Sequence, residues 1–103
     1  MPDNFKQRVI KFIKIVPIGR VVSYGQVAAA CGKPLAARAV GGILRSSDVE
    51  KENIPWWRVV NNQGIISIKG SWVASKELQR SLLVTEGIKV NENFTLDISK
   101  YRY

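Results

Sequence analysis

Apolar residues return every three or four positions near the start of the chain. Phe5, Val9, Phe12, Ile13 and Val16 fall on one side of a helix, with Gln7, Lys11 and Lys14 on the other. Asp3 or Asn4 can cap that helix, and Pro17 and Gly19 end it. Arg20-Val21-Val22 reads as a short extended approach. Ser23 followed by Gln26 is a capping-box pattern that opens a second helix, from Tyr24 to Cys31, stopped by Gly32. Lys33-Pro34-Leu35 makes a turn, and a third helix runs from about Ala36 to Arg45. Two short helices joined by a tight Gly/Pro turn predict a helix-turn-helix.

A polar loop follows, from Ser46 to Asn53. From Val59 to Ser67, β-branched residues flank a turn-forming Asn-Asn-Gln-Gly, which predicts a hairpin and a candidate wing. Lys69 to Val73 reads as a loop. Ser75 caps a last helix reaching about Glu86, with Leu78, Leu82 and Leu83 toward the core and Gly87 at its end. The tail from Ile88 to Tyr103 alternates only weakly, so it either drapes over the core or stays partly loose. The expected fold is mainly α with a small β-hairpin wing, as one domain over residues 1–103.

The third helix carries Ala36, Ala37, Ala39, Gly41 and Gly42. Glycine inside a helix costs roughly 1 kcal/mol relative to alanine. Such a cost points to a close approach of the backbone, either to a neighbouring helix or to a ligand such as DNA.

Composition narrows the chemistry. A chain of 103 residues suffices for one modest core. No apolar run approaches a membrane span, and the first residues lack the layout of a signal peptide. The single Cys allows no internal disulfide, which fits a reducing, cytoplasmic setting. No His is present, so a metal centre is not expected, and His-based general-base or nucleophile pairs are excluded. No cofactor is expected either. The net charge of +8 implies a polyanionic partner. Between Asp3 and Asp48 there is no acid, while Lys6, Arg8, Lys11, Lys14, Arg20, Lys33, Arg38 and Arg45 all lie there. That half reads as phosphate-facing, although a solubilising surface would have the same charge.

One block adds a specific chemistry. Ile54-Pro55-Trp56-Trp57-Arg58-Val59-Val60 resembles the Pro-Cys-His-Arg-Val signature of the O6-alkylguanine-DNA alkyltransferases. In that family the Cys accepts an alkyl group from a damaged guanine and the His helps to ionise it. Here Trp56 stands at the Cys position and Trp57 at the His position. Indole offers no nucleophilic sulfur and no group that titrates near neutral pH. Three further blocks match in order: Pro17 to Ala28, Ala36 to Gly42, and Leu82 to Gly87. By these residues the chain is identified as a member of the alkyltransferase-like proteins, whose cysteine is replaced by tryptophan. It begins near the start of the enzymes' DNA-binding domain, which suits those shorter relatives.

The resemblance implies a winged helix-turn-helix and a role for each matched position. Tyr24 would crowd the backbone of the damaged nucleotide and turn it outward. Arg38 would enter the duplex and fill the vacated space. Ala36, Ala37, Gly41 and Arg45 would line the DNA face of the recognition helix. Trp56 would floor the base pocket, and the Val59 carbonyl would read the exocyclic amine of the base. Glu86 matches the carboxylate that orients the enzymes' His. Ile68 to Val73 would form a lid, with Lys69 over the flipped base. There the chain departs from the enzymes, presenting Lys69-Gly70-Ser71-Trp72 in place of a Gly-Gly pair. The partners implied are duplex DNA containing O6-alkylguanine and nucleotide excision repair proteins, met by a monomer in the cytoplasm, or at the nucleoid of a prokaryote. Extruding a base costs a few kcal/mol, and an inserted, stacking arginine offsets part of it. Two other readings compete. One is a winged-helix regulator that favours one operator. The other is an active alkyltransferase using Cys31, which lies among small residues where a buried side chain is expected.

Overall fold

The computed structural model describes residues 4–66 and 76–103. Helix α1 (Phe5–Ile15) starts at Asn4, whose side chain accepts from the Gln7 amide while Gln7 returns the bond. Of the two candidate caps, Asn4 therefore makes the box. The stripe of α1 buries Val9 and Ile13 completely. Val16 is already extended before Pro17, and Gly19 takes a left-handed turn at φ +86°.

Strand β1 (Val22–Ser23) leads directly into α2 (Tyr24–Ala30), which the Ser23/Gln26 capping box opens. Gly32, at φ +90°, makes the turn toward α3 (Ala37–Ser46). Ala36 is the N-cap of α3 and supplies no side-chain bond, so this helix begins one residue later than its small-residue pattern indicates. Helices α2 and α3 pack on each other as the helix-turn-helix. Val27, Ala28, Val40 and Leu44 join Val9, Ile13 and Ile54 in one core cluster. Each fully buried aliphatic side chain there contributes about 2 kcal/mol.

A single 3-10 turn, Trp56–Arg58, follows Pro55 and delivers the chain to β2 (Val59–Val60). The strand pairing differs from the hairpin expected. β2 pairs in parallel with β1, Val22 with Val59 and Ser23 with Val60. The chain does turn back after β2: Asn61 N–H donates to the Ile65 carbonyl, and the Asn61 side chain accepts from the Gln63 and Ile65 amides. The returning arm then pairs with the tail, Ile65 beside Thr95, rather than with β2. Gly64 makes that contact possible, since a Cβ there would overlap the Leu96 carbonyl oxygen. The rest of the expected wing, from Ser67, and the cap at Ser75 lie outside the described residues.

Helix α4 (Lys76–Thr85) buries Gln79 and Leu83, with Leu78 and Leu82 half-buried. Gly87 ends it at φ +88°. The tail drapes. Ile88, Val90 and Leu96 form a second cluster with Val21, Val60, Ile66 and Leu83, and a short α5 (Ile98–Tyr101) closes against β1. Among the described residues no helix is long and apolar enough to cross a membrane.

Candidate nucleic-acid interface

The helix-turn-helix brings Tyr24, Gly41 and Arg45 beside one another, with Arg38 nearer the start of α3. Tyr24 opens α2 and lies half-buried against the first core cluster. Burial pushes its phenol pKa up, and the nearby Arg45 charge opposes that. Arg38 sits exposed in the first turn of α3, with no hydrogen bond or ion pair among the described residues. Ala36 and Ala37 beside it are half-buried. Arg45 folds back along its own helix. A Cβ on Gly41 would stand 3.4 Å from Arg45 Nη1 and 3.8 Å from Tyr24 Cε1, and one on Gly42 would stand 4.0 Å from Arg45 Nη2. Among the described residues, no neighbouring helix backbone lies within 4 Å of a Cβ on either glycine. The atoms nearest both belong to the far end of a flexible arginine.

This arrangement sets two effects against each other. Gly41→Ala is expected to raise stability by about 0.5–1 kcal/mol, since the helix gains propensity and meets only ordinary contacts. If DNA approaches this face closely, the same change should weaken duplex binding. Thermal unfolding beside a gel-shift titration checks the pair of opposite signs. A gain in both would remove the glycine from the interface.

The 3-10 turn holds the two tryptophans. Trp56 is 5% exposed and belongs to the core cluster that Tyr24 packs on. Trp57 is half-buried and touches both clusters, its ring edge-on to Trp56 with centroids 6.0 Å apart. Its Nε1 donates to Glu86 Oε2 at 2.9 Å. Arg58 grips the same carboxylate through Nε at 3.0 Å and Nη2 at 2.6 Å. Its Nη1 donates to the Val16 carbonyl at 2.8 Å, which ties the turn to the end of α1. Burial raises the Glu86 pKa, but hydrogen bonds from Arg58 and Trp57 outweigh it and hold the carboxyl below its ordinary range. The Glu86 carboxylate is therefore bonded to an indole N–H that donates but does not shuttle a proton.

The sequence reading missed the support beneath this turn. Gln79, 1% exposed on α4, donates through Nε2 to the Trp57 and Val59 carbonyls, both at 3.0 Å. The Val59 carbonyl is thus held in place by a side chain of α4, and the residue itself is 1% exposed. Gln79 Oε1 is buried without a hydrogen-bond partner among the described residues. A polar residue beside Leu78 gave one usable signal: burying an amide on a core-facing helix requires acceptors to receive it. Lys69 and the whole expected lid lie outside the described residues. A cavity of about 260 Å³ lined by Lys89, Asn91, Leu96, Lys100 and Tyr101, among others, lies on the tail and shares no residue with the interface.

Residues 4–88 match the family described as 6-O-methylguanine DNA methyltransferase, DNA binding domain. The chain belongs to this family. Within it, the chain is 41% identical over 101 residues to the DNA base-flipping protein of Escherichia coli, covering 98% of this chain and 75% of that relative. Its fold is similar to the crystal structure of the Schizosaccharomyces pombe alkyltransferase-like protein in complex with damaged DNA containing O6-carboxymethylguanine. The TM-score is 0.87 at 30% identity, over 100% of this chain and 97% of that one. A methyltransferase of the family from Mycobacterium tuberculosis, crystallised with DNA, matches with a TM-score of 0.68 at 31% identity, over 84% of this chain and 51% of that one. The family membership makes the chain mainly helical, with a helix-turn-helix and the small parallel sheet described above.

Proposed function

We propose that this protein is a non-enzymatic sensor of O6-alkylguanine in duplex DNA. It turns the damaged nucleotide out of the stack and marks the site for nucleotide excision repair. The observation that carries this reading is the pair Trp56–Trp57, standing where the enzymes have their nucleophile and its base, with Glu86 still bonded to the second position. Tyr24 crowds the nucleotide's backbone, Arg38 fills the gap, and Trp56, the Val59 carbonyl and Lys69 receive the base. The small face of Ala36, Ala37, Gly41 and Arg45 lies along the duplex. The basic half of the chain supplies phosphate contacts, whose affinity falls steeply with salt. The base-flipping name of one relative and the damaged-DNA complex of another support the reading.

Cys31 offers no alternative nucleophile. It is 6% exposed, and burial pushes its thiol pKa up against the weaker pull of Arg8. The test compares gel shifts on matched duplexes containing guanine or O6-methylguanine at moderate salt, followed by mass spectrometry of the protein. Tighter binding to the lesion with no added alkyl mass is expected. Equal affinity for the two duplexes, or a mass shift on Cys31, would sink the proposal.

A further inference from the structure

The residues that end the tail meet β1 at the point where it enters Tyr24. Val21 N–H donates to the Tyr101 carbonyl at 2.9 Å, and Tyr103 N–H donates to the Val21 carbonyl at 2.8 Å. Both polar groups of Val21 thus face the tail, while Val22 and Ser23 pair with β2 on the other side. Arg20 Nη1 reaches the Lys100 carbonyl at 3.1 Å. The rings of Phe12 and Tyr103 lie 6.4 Å apart.

Gln26 joins these contacts to the helix. Its Oε1 accepts from the Ser23 amide at 3.4 Å, completing the capping box around Tyr24. The same oxygen accepts from Arg102 Nη1 at 3.0 Å, and Gln26 Nε2 donates to the main-chain oxygen of Tyr103 at 2.7 Å. The amide therefore has two separate tasks. It closes the first turn of α2, and it fastens that turn to a segment far along the chain. A capping glutamine is ordinarily free to leave its helix end for water; this one is half-buried and held by both of its polar atoms.

We propose that the Lys100–Tyr103 segment, acting through Gln26, is a positioning element for Tyr24. It holds the first turn of α2 still while the tyrosine presses on a nucleotide. This rests on the reading of Tyr24 as the residue that turns the nucleotide outward. Pushing a backbone requires a rigid support, because a turn that yields returns the work as its own displacement. The tail supplies that support from the side of β1 opposite β2.

The test measures two quantities on each variant: affinity for undamaged duplex, and fluorescence of a 2-aminopurine placed beside O6-methylguanine at saturating protein. Arg102→Ala and Gln26→Ala should each lower the flipping signal by about threefold to fivefold, the scale of one net hydrogen bond. Affinity for undamaged duplex should stay within about twofold of the original. The double variant should be no worse than the worse single one, since both act through one link. Arg102→Lys, which can still donate to Gln26, should restore most of the signal. Should Gln26→Ala fail to fold, the exposed Arg102→Ala carries the experiment. Equal loss on damaged and undamaged duplex would make Arg102 a phosphate contact and overturn the proposal. A normal signal in both variants while Tyr24→Ala is silent would overturn it too, leaving the role of Tyr24 intact. A normal signal in Tyr24→Ala would instead overturn the reading on which the proposal stands.

Discussion

Arg38→Ala is expected to lower affinity for an O6-methylguanine duplex by at least about tenfold, with a much smaller loss on undamaged DNA. The reason is positional. The side chain is exposed on the first turn of α3 and holds no partner in the free protein among the described residues. It can therefore enter a duplex without first breaking a bond. An extruded base leaves a gap costing a few kcal/mol, and a planar guanidinium both stacks there and donates to the orphaned base. Lys14→Ala, on the exposed side of α1, removes only a charge and should weaken both duplexes alike. Arg38→Lys separates charge from shape: it should keep the salt dependence of binding and lose the 2-aminopurine signal. If alanine at 38 and alanine at 14 give the same modest loss, Arg38 is an electrostatic contact and no more.

The largest stability effect is expected at Arg58. Its guanidinium and the Glu86 carboxylate are each 11% exposed and share a 2.6 Å contact. Arg58→Ala would leave that carboxylate with only Trp57 and the Gly19 backbone amide and free the Val16 carbonyl, at a cost of about 3 kcal/mol. The pH profile carries a second sign. The folded pKa of Glu86 lies below its ordinary value of 4.5. Its contribution is therefore complete above that value and is lost as pH falls through the lower, folded value. Denaturation curves between neutral pH and pH 3 should fall more steeply for the wild type than for Arg58→Ala. Parallel curves would assign the acid sensitivity to other carboxylates.

Much of this architecture is legible in the residues themselves, for reasons that are local. The stripe of α1 needs only the 3.6-residue period, and Asn4/Gln7 and Ser23/Gln26 announce two helix starts within four residues each. Gly32 and Gly87 mark stops because their turns need positive φ. The sheet was not legible, since nothing within Val59–Val60 distinguishes a hairpin arm from a strand paired with Val22–Ser23 far upstream. The tail was half legible: its weak alternation hid bonds that are made mostly by backbone groups, which any residue possesses. At the candidate interface, the block around Trp56 and Trp57 is contiguous in the chain and therefore readable, and it forms the 3-10 turn packed on the cluster that includes Tyr24. Its supports, Gln79 and the Arg58 clamp, act through distant carbonyls and a distant carboxylate, and such partners leave no mark in adjacent residues.

The burial of Cys31 has a consequence for life under chemical stress. Electrophiles that alkylate guanine also attack exposed thiolates. Here the one thiol is shut within the core, its pKa raised and its ionisation disfavoured. The agents that create the lesions would therefore leave the reader of those lesions largely unmodified. A fixed number of copies could then survey successive sites, limited by how fast each lets go of DNA.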